Sequence, residues 1–158
     1  MHPPRTRFVL IEPSHAGNVG AVARAMKVMG FDDLVLVAPR WPDVLTRPEA
    51  IERASGSGDV LARARIVPTL DEALHGMTHV CATVMTPRDF GPPTSAPRTL
   101  FATLAPSSHS VAFVFGSERF GLGNDDVYRC HACLSIPTHP DYGSLNLAQA
   151  VRLIAYDW

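Results

Sequence analysis

With 158 residues, 46% of them hydrophobic and 18% charged, the chain suits one globular domain with a sizeable core and is neither disordered nor fibrous. A net charge of −1 and a pI near 6.6 exclude a global field that gathers nucleic acid, so any such partner must be held by a local patch. No apolar run reaches membrane-spanning length, the start MHPPRTRFVLIEP has no apolar signal core, and three sparse cysteines fit a reduced, cytoplasmic protein.

In chain order, Arg7 to Ile11 is a short apolar run stopped by Pro13, the pattern of a buried strand. Ser14 to Gly20 reads as a turn leading into a helix that runs to about Met29, with Val19, Val22, Ala23 and Met26 on one face and Gly30 at its end. Leu34 to Ala38 is a second strand. Glu49 to Arg53 and Asp59 to Arg63 read as short helical pieces split by Ser55-Gly56-Ser57-Gly58. Ile66-Val67 begins a third strand, and the capping box Thr69 to Glu72 predicts a helix to His75. His79 to Met85 is a fourth strand.

Thr86 to Arg98 holds four prolines and is expected to be an irregular loop inside the domain. A helical turn over Leu100 to Leu104, a fifth strand over Ser110 to Phe115, a short helix ending near Cys130 and a sixth strand over Cys133 to Ile136 follow. The last helix is expected to open at Ser144, with Leu147, Val151, Ile154 and Trp158 forming a buried stripe. Alternating strands and helices give an α/β fold with a mostly parallel sheet covered on both faces. The Gly- and Ser-rich loops after the fifth and sixth strands are where such a fold places a small ligand.

Several chemistries fit poorly. Gly56-Ser57-Gly58 and the Gly116 to Gly123 stretch fall short of G-x-G-x-x-G, so a dinucleotide site lacks its fingerprint. Cys130-His131-Ala132-Cys133 sits where a helix ends, the wrong end to lower a thiol pKa, and only Cys81 remains to complete a zinc set. Neither a redox pair nor a metal site is expected. Ser117 follows Gly116 without the G-x-S-x-G elbow of a hydrolase.

Three stretches, in order, resemble the motifs of the SpoU (TrmH-type) ribose 2′-O-methyltransferases of the SPOUT superfamily. They are Asn18 to Lys27 (NVGAVARAMK), Val114 to Glu118 with Gly121-Leu122, and Ile136-Pro137 followed by Ser144 to Val151 (SLNLAQAV). Within the family, HAGNVGAVARAMKVMGF, the DEALHG helix and DYGSLNLAQAV look most like the bacterial tRNA enzymes that methylate cytidine or uridine 32 of the anticodon loop.

The resemblance implies a C-terminal trefoil knot, bound S-adenosylmethionine, a homodimer that completes each active site, and tRNA as substrate. It implies a cofactor cradle of Thr83, Val84, Met85, Gly116, Ile136, Gly143, Ser144 and Leu145. It also implies that Arg24 performs the central chemistry, held by Glu118 and Asn146, with Ser144 helping to cap the last helix. Asn18, Arg24, Arg88 and Tyr142 are the implied RNA contacts, and no metal is required. The chain departs from the tRNA enzymes at Val84-Met85-Thr86, where those have Ser-Ala-Arg, and at Gly143, where those have serine. It reads as a single methyltransferase domain over residues 1–158, either a shortened form or a minimal enzyme, without the C-terminal extension that family members carry. Two other classes stay open: a dimerising cofactor-binding domain incomplete without that extension, and an unrelated nucleotide-binding α/β domain.

Overall fold

Along the first strand Phe8 and Leu10 join one apolar cluster and Val9 and Ile11 another, and all four are buried. A strand apolar on both sides needs cover on both, and the computed structural model, which describes residues 4–84, 91–118, 120–139 and 145–158, shows that cover. The strands are β1 (Thr6–Ile11), β2 (Leu34–Val37), β3 (Arg65–Val67), β4 (His79–Thr83), β5 (Thr94–Ser95), β6 (Val111–Phe115) and β7 (Ala132–Leu134). They form one sheet in the order β3-β2-β1-β6-β4-β7-β5, every neighbouring pair parallel. Helices α1 (Ala16–Val28), α2 (Pro48–Ala54), α3 (Gly58–Arg63), α5 (Pro97–Leu104) and α7 (Leu147–Asp157) pack on one face. On the other lie α4 (Leu70–Ala73) and α6 (Asn124–Tyr128). Among the described residues no helix is long and apolar enough to cross a membrane.

Three expectations are corrected. The proline-rich stretch is not wholly irregular, because Thr94 and Ser95 pair with Cys133 and Leu134 as a seventh strand. It is an edge strand, so the prolines before it interrupt no inner ladder, and Pro97 opens α5 at a position whose N–H would have no helical partner. The first helix begins at Ala16, so Gly17 to Gly20 are helical and not part of the turn. The last helix opens at Leu147 with Asn146 as its N-cap, three residues after its expected start. Asn146 Oδ1 accepts from the Gln149 N–H at 2.8 Å and the Gln149 Oε1 accepts from the Asn146 N–H at 3.2 Å, so two otherwise orphaned donors are met reciprocally.

Gly20 sets the spacing of α1 and α2. A Cβ built on it would lie 2.1 Å from the carbonyl oxygen of Ala50 and 2.9 Å from the backbone N of Ala54. Because the obstacle is backbone, Gly20→Ala is expected to push the two helices apart and cost about 2–3 kcal/mol, lowering Tm by about 5–10 °C in a thermal melt. A change below about 1 °C would mean that α2 yields freely.

Candidate active site

The order of strands reverses at β1, with β2 on one side and β6 on the other. In a doubly wound sheet the crevice at the carboxyl ends of such a pair is where ligands bind. The loops leaving β1 and β6 meet there through Glu118. Its Oε2 accepts from the Ser14 N–H at 3.1 Å and from the Ser14 hydroxyl at 2.9 Å, and its Oε1 accepts from Asn18 Nδ2 at 3.3 Å. Sequence reasoning gave Ser14 no role, although a hydroxyl just ahead of a helix is a recognisable signal.

Burial alone would raise the pKa of Glu118, but the Ser14 N–H, its own N–H, the Ser14 hydroxyl and Asn18 together outweigh that and hold it below the ordinary 4.5. A depressed carboxylate pKa adds stability that is fully present above the ordinary value and is lost as pH falls through the folded value. Glu118→Gln should therefore lower Tm by about 3 °C at pH 7, for about 1 kcal/mol of charge-assisted hydrogen bonding after screening, and by less at pH 4. Equal losses at both pH values would show that the charge is irrelevant.

The neighbouring strands β6, β4 and β7 end side by side. Thr83 Oγ1 donates to the Val114 carbonyl at 2.9 Å, and the Val84 N–H donates to the Leu134 carbonyl at 2.9 Å. Gly116 leaves β6 in contact with Gly121 and Leu122, while Ile136 follows β7 and Leu145 precedes α7, both half-buried. Thr83, Val84, Gly116 and Ile136 thus gather at one sheet edge, where the family resemblance implies a cofactor cradle. The half-buried Val84 and Ile136 beside a tightly folded glycine loop suit the flat adenosyl part of such a cofactor. Met85, Arg88, Tyr142, Gly143 and Ser144 lie outside the described residues.

Arg24 is not brought to this cluster. It is exposed on α1, about 9 Å along the helix axis from Asn18 and about a third of a turn round it. Among the described residues it bonds neither Glu118, which holds Ser14 and Asn18, nor Asn146, which caps α7. Gly17, Ala21, Arg24 and Val28 share a stripe of α1, and Val28 is 63% exposed.

The cysteines belong to the two apolar clusters of the core. All three are free and buried, and burial pushes the thiols of Cys81 and Cys130 up to about 12. A thiol raised in this way is not activated as a nucleophile at neutral pH.

Residues 5–156 match the sequence model of the SpoU rRNA Methylase family. The chain is 47% identical over 155 residues to the tRNA (cytidine/uridine-2'-O-)-methyltransferase TrmJ of Klebsiella pneumoniae, covering 96% of this chain and 62% of that protein. It therefore spans less than two thirds of the length of the curated relatives it matches. Among solved structures, TrmJ from Z. mobilis ZM4 superposes with a TM-score of 0.89 at 41% identity, over 97% of this chain and 67% of that one. A probable methyltransferase from Bordetella pertussis Tohama I does so at 0.87 and 46% identity, over 98% and 94%.

Proposed function

The chain belongs to the SpoU rRNA Methylase family, and from that membership we propose that it is an S-adenosylmethionine-dependent RNA ribose 2′-O-methyltransferase. Its substrate is the cytidine or uridine at position 32 of the tRNA anticodon loop, and it works as a homodimer with a C-terminal trefoil knot. The names of its TrmJ relatives support the substrate. The observation that carries the reading is the meeting of the first and second motifs through Glu118, Ser14 and Asn18, beside the strand ends that suit the cofactor.

Thr83, Val84, Gly116 and Ile136, at the ends of β4, β6 and β7, would hold S-adenosylmethionine, which would supply a sulfonium methyl group for transfer to a ribose 2′-oxygen. The chain's own task is to place that oxygen and stabilise its developing charge. A guanidinium with a pKa above about 12 is a poor base. Arg24 instead grips the phosphate beside the target ribose and stabilises the 2′-alkoxide with paired N–H donors, while the 2′ proton leaves to phosphate or water. Glu118, ionised at neutral pH, fixes the loop that presents Ser14 and Asn18.

Arg24 lies away from Glu118 in its own chain, on a stripe that also bears the exposed Val28. This arrangement favours a site shared by two copies, in which the Arg24 of one faces the strand ends of the other.

The test is transfer of a labelled methyl group from S-adenosylmethionine to unmodified tRNA, with the product mapped by mass spectrometry. One 2′-O-methyl at nucleotide 32, and none on a tRNA carrying 2′-deoxyribose there, is the expected result. A methylated base, or cofactor binding with no transfer to any tRNA, would overturn the reading.

A further inference from the structure

A cavity of about 550 Å³ opens at the same carboxyl edge of the sheet, between the loops that follow β1 and β2 and the helix α2. Its wall joins the first motif, at Asn18, to Arg40, Trp41, Arg47 and Arg53. Trp41 is half-buried against the core, and the guanidinium carbons of Arg47 and Arg40 lie 4.0 and 4.8 Å from its ring centre. Arg47 is oriented by Asp43, whose Oδ1 accepts from its Nε at 2.9 Å. Arg53 lies along the first turn of α1, so near Gly17 that a Cβ there would sit 3.5 Å from its Cγ and 3.9 Å from its Nη1. Among the described residues neither Arg40 nor Arg53 has a carboxylate partner.

Such a wall is specific in what it suits. Guanidiniums stacked on an indole form a flat cationic surface, the kind on which an unpaired base stacks, while arginines without carboxylate partners grip phosphate. Glu49 and Glu52 also line the cavity, so it is not simply a sink for anions. Carboxylates repel an acidic peptide, yet they accept hydrogen bonds from the exocyclic amino groups of bases. The cavity is next to Asn18 and Ser14, hence within a nucleotide or so of the proposed target ribose.

We infer that this cavity binds one unpaired nucleotide of the RNA beside the target, its phosphate on Arg40 and Arg53 and its base against the platform of Trp41 and Arg47. The inference rests on the RNA methyltransferase reading and adds a second contact to it. Neither Arg40 nor Trp41 belongs to the three motifs, so the site gives this chain a means of choosing among loops that the shared motifs do not supply.

The experiment is fluorescence anisotropy with a labelled anticodon stem-loop RNA at several KCl concentrations, on the wild-type chain and on Arg40→Gln/Arg53→Gln. Both changed residues are exposed, and calorimetric titration with S-adenosylmethionine reports that the fold is kept. The double variant is expected to bind RNA about 10-fold more weakly, with the slope of log K against log salt reduced by about 1–2, and to bind the cofactor as wild type does. Arg40→Lys/Arg53→Lys should keep the salt slope and lose part of the affinity.

Wild-type affinity and slope in the glutamine variant, with tRNA methylation intact, would overturn the inference and leave the function standing. A wild-type chain that binds the cofactor but no RNA would overturn both. If a polyglutamate peptide bound in an arginine-dependent way while RNA binding did not change, the cavity would be a protein-docking site and the inference would fall.

Discussion

Replacing Arg24 with alanine will slow methyl transfer to tRNA by about 10²- to 10³-fold, the scale for removing one preorganised donor from a developing oxyanion. Cofactor affinity and Tm will stay at wild-type values. The contrast follows from where Arg24 sits: it is exposed on α1, forms no ion pair among the described residues, and stands on a different element from Thr83, Val84, Gly116 and Ile136. Nothing in the described fold depends on its side chain, so its loss should appear in the chemical step alone. Arg24→Lys separates two accounts of that step. If only a positive charge is needed, lysine restores most of the rate; if a phosphate must be held by two parallel N–H donors, it restores little. Single-turnover kinetics with saturating cofactor measure the step directly. An alanine variant of near wild-type rate would remove Arg24 from the mechanism and with it the case for a shared site.

The parts of the fold that the sequence made legible were those written in apolar periodicity. Phe8 to Ile11, Leu34 to Val37 and Val111 to Phe115 are buried on both sides, and such runs announce parallel strands. The misread parts were decided by local hydrogen bonding that a pattern does not weigh. Two residues, Thr94 and Ser95, were enough to extend the sheet because β7 had a free edge. The last helix starts at Leu147 because Asn146 caps it with Gln149 three residues on. The site divides the same way. The family resemblance pointed to Thr83, Val84, Gly116 and Ile136, which do gather at neighbouring strand ends. It tied Glu118 to Arg24, whereas Glu118 holds Ser14 and Asn18, a pairing between residues about a hundred positions apart that only the β1-β6 adjacency creates. Arg40, Trp41 and Arg53 were invisible for a related reason: their meaning lies in the cavity they surround.

Gly116→Ala will disable the cofactor side of the site and, combined with Arg24→Ala, will reveal whether two copies share it. The obstacle at Gly116 is space, since a Cβ there would lie 2.1 Å from the carbonyl carbon of Gly121, 2.3 Å from the N of Leu122 and 2.5 Å from the oxygen of Gly121. All three are backbone atoms of a loop already tied by the Gly121 N–H to the Ser117 carbonyl at 2.9 Å and by the Phe120 N–H to the Ser117 hydroxyl at 3.0 Å. Either β6 must retreat from its register or the loop must swing out, and Glu118, two residues on, moves with it. We expect a loss of about 2–3 kcal/mol in stability and at least about a 10-fold weaker grip on S-adenosylmethionine. Neither variant alone should methylate tRNA appreciably. In a mixed dimer, however, the Gly116→Ala copy contributes an intact Arg24 to the intact strand ends of its partner, so one of the two sites is whole. Random pairing of equal amounts should then return about a quarter of wild-type activity. No recovery, with mixed dimers demonstrated by mass spectrometry, would mean that each chain uses its own Arg24. In that case α1 would have to turn by about a third of a revolution, or a helix length of about 9 Å be bridged by the substrate, before Arg24 and Glu118 could act on one ribose. Recovery would make the separation of the two residues within each chain the reason that the enzyme works only as a pair.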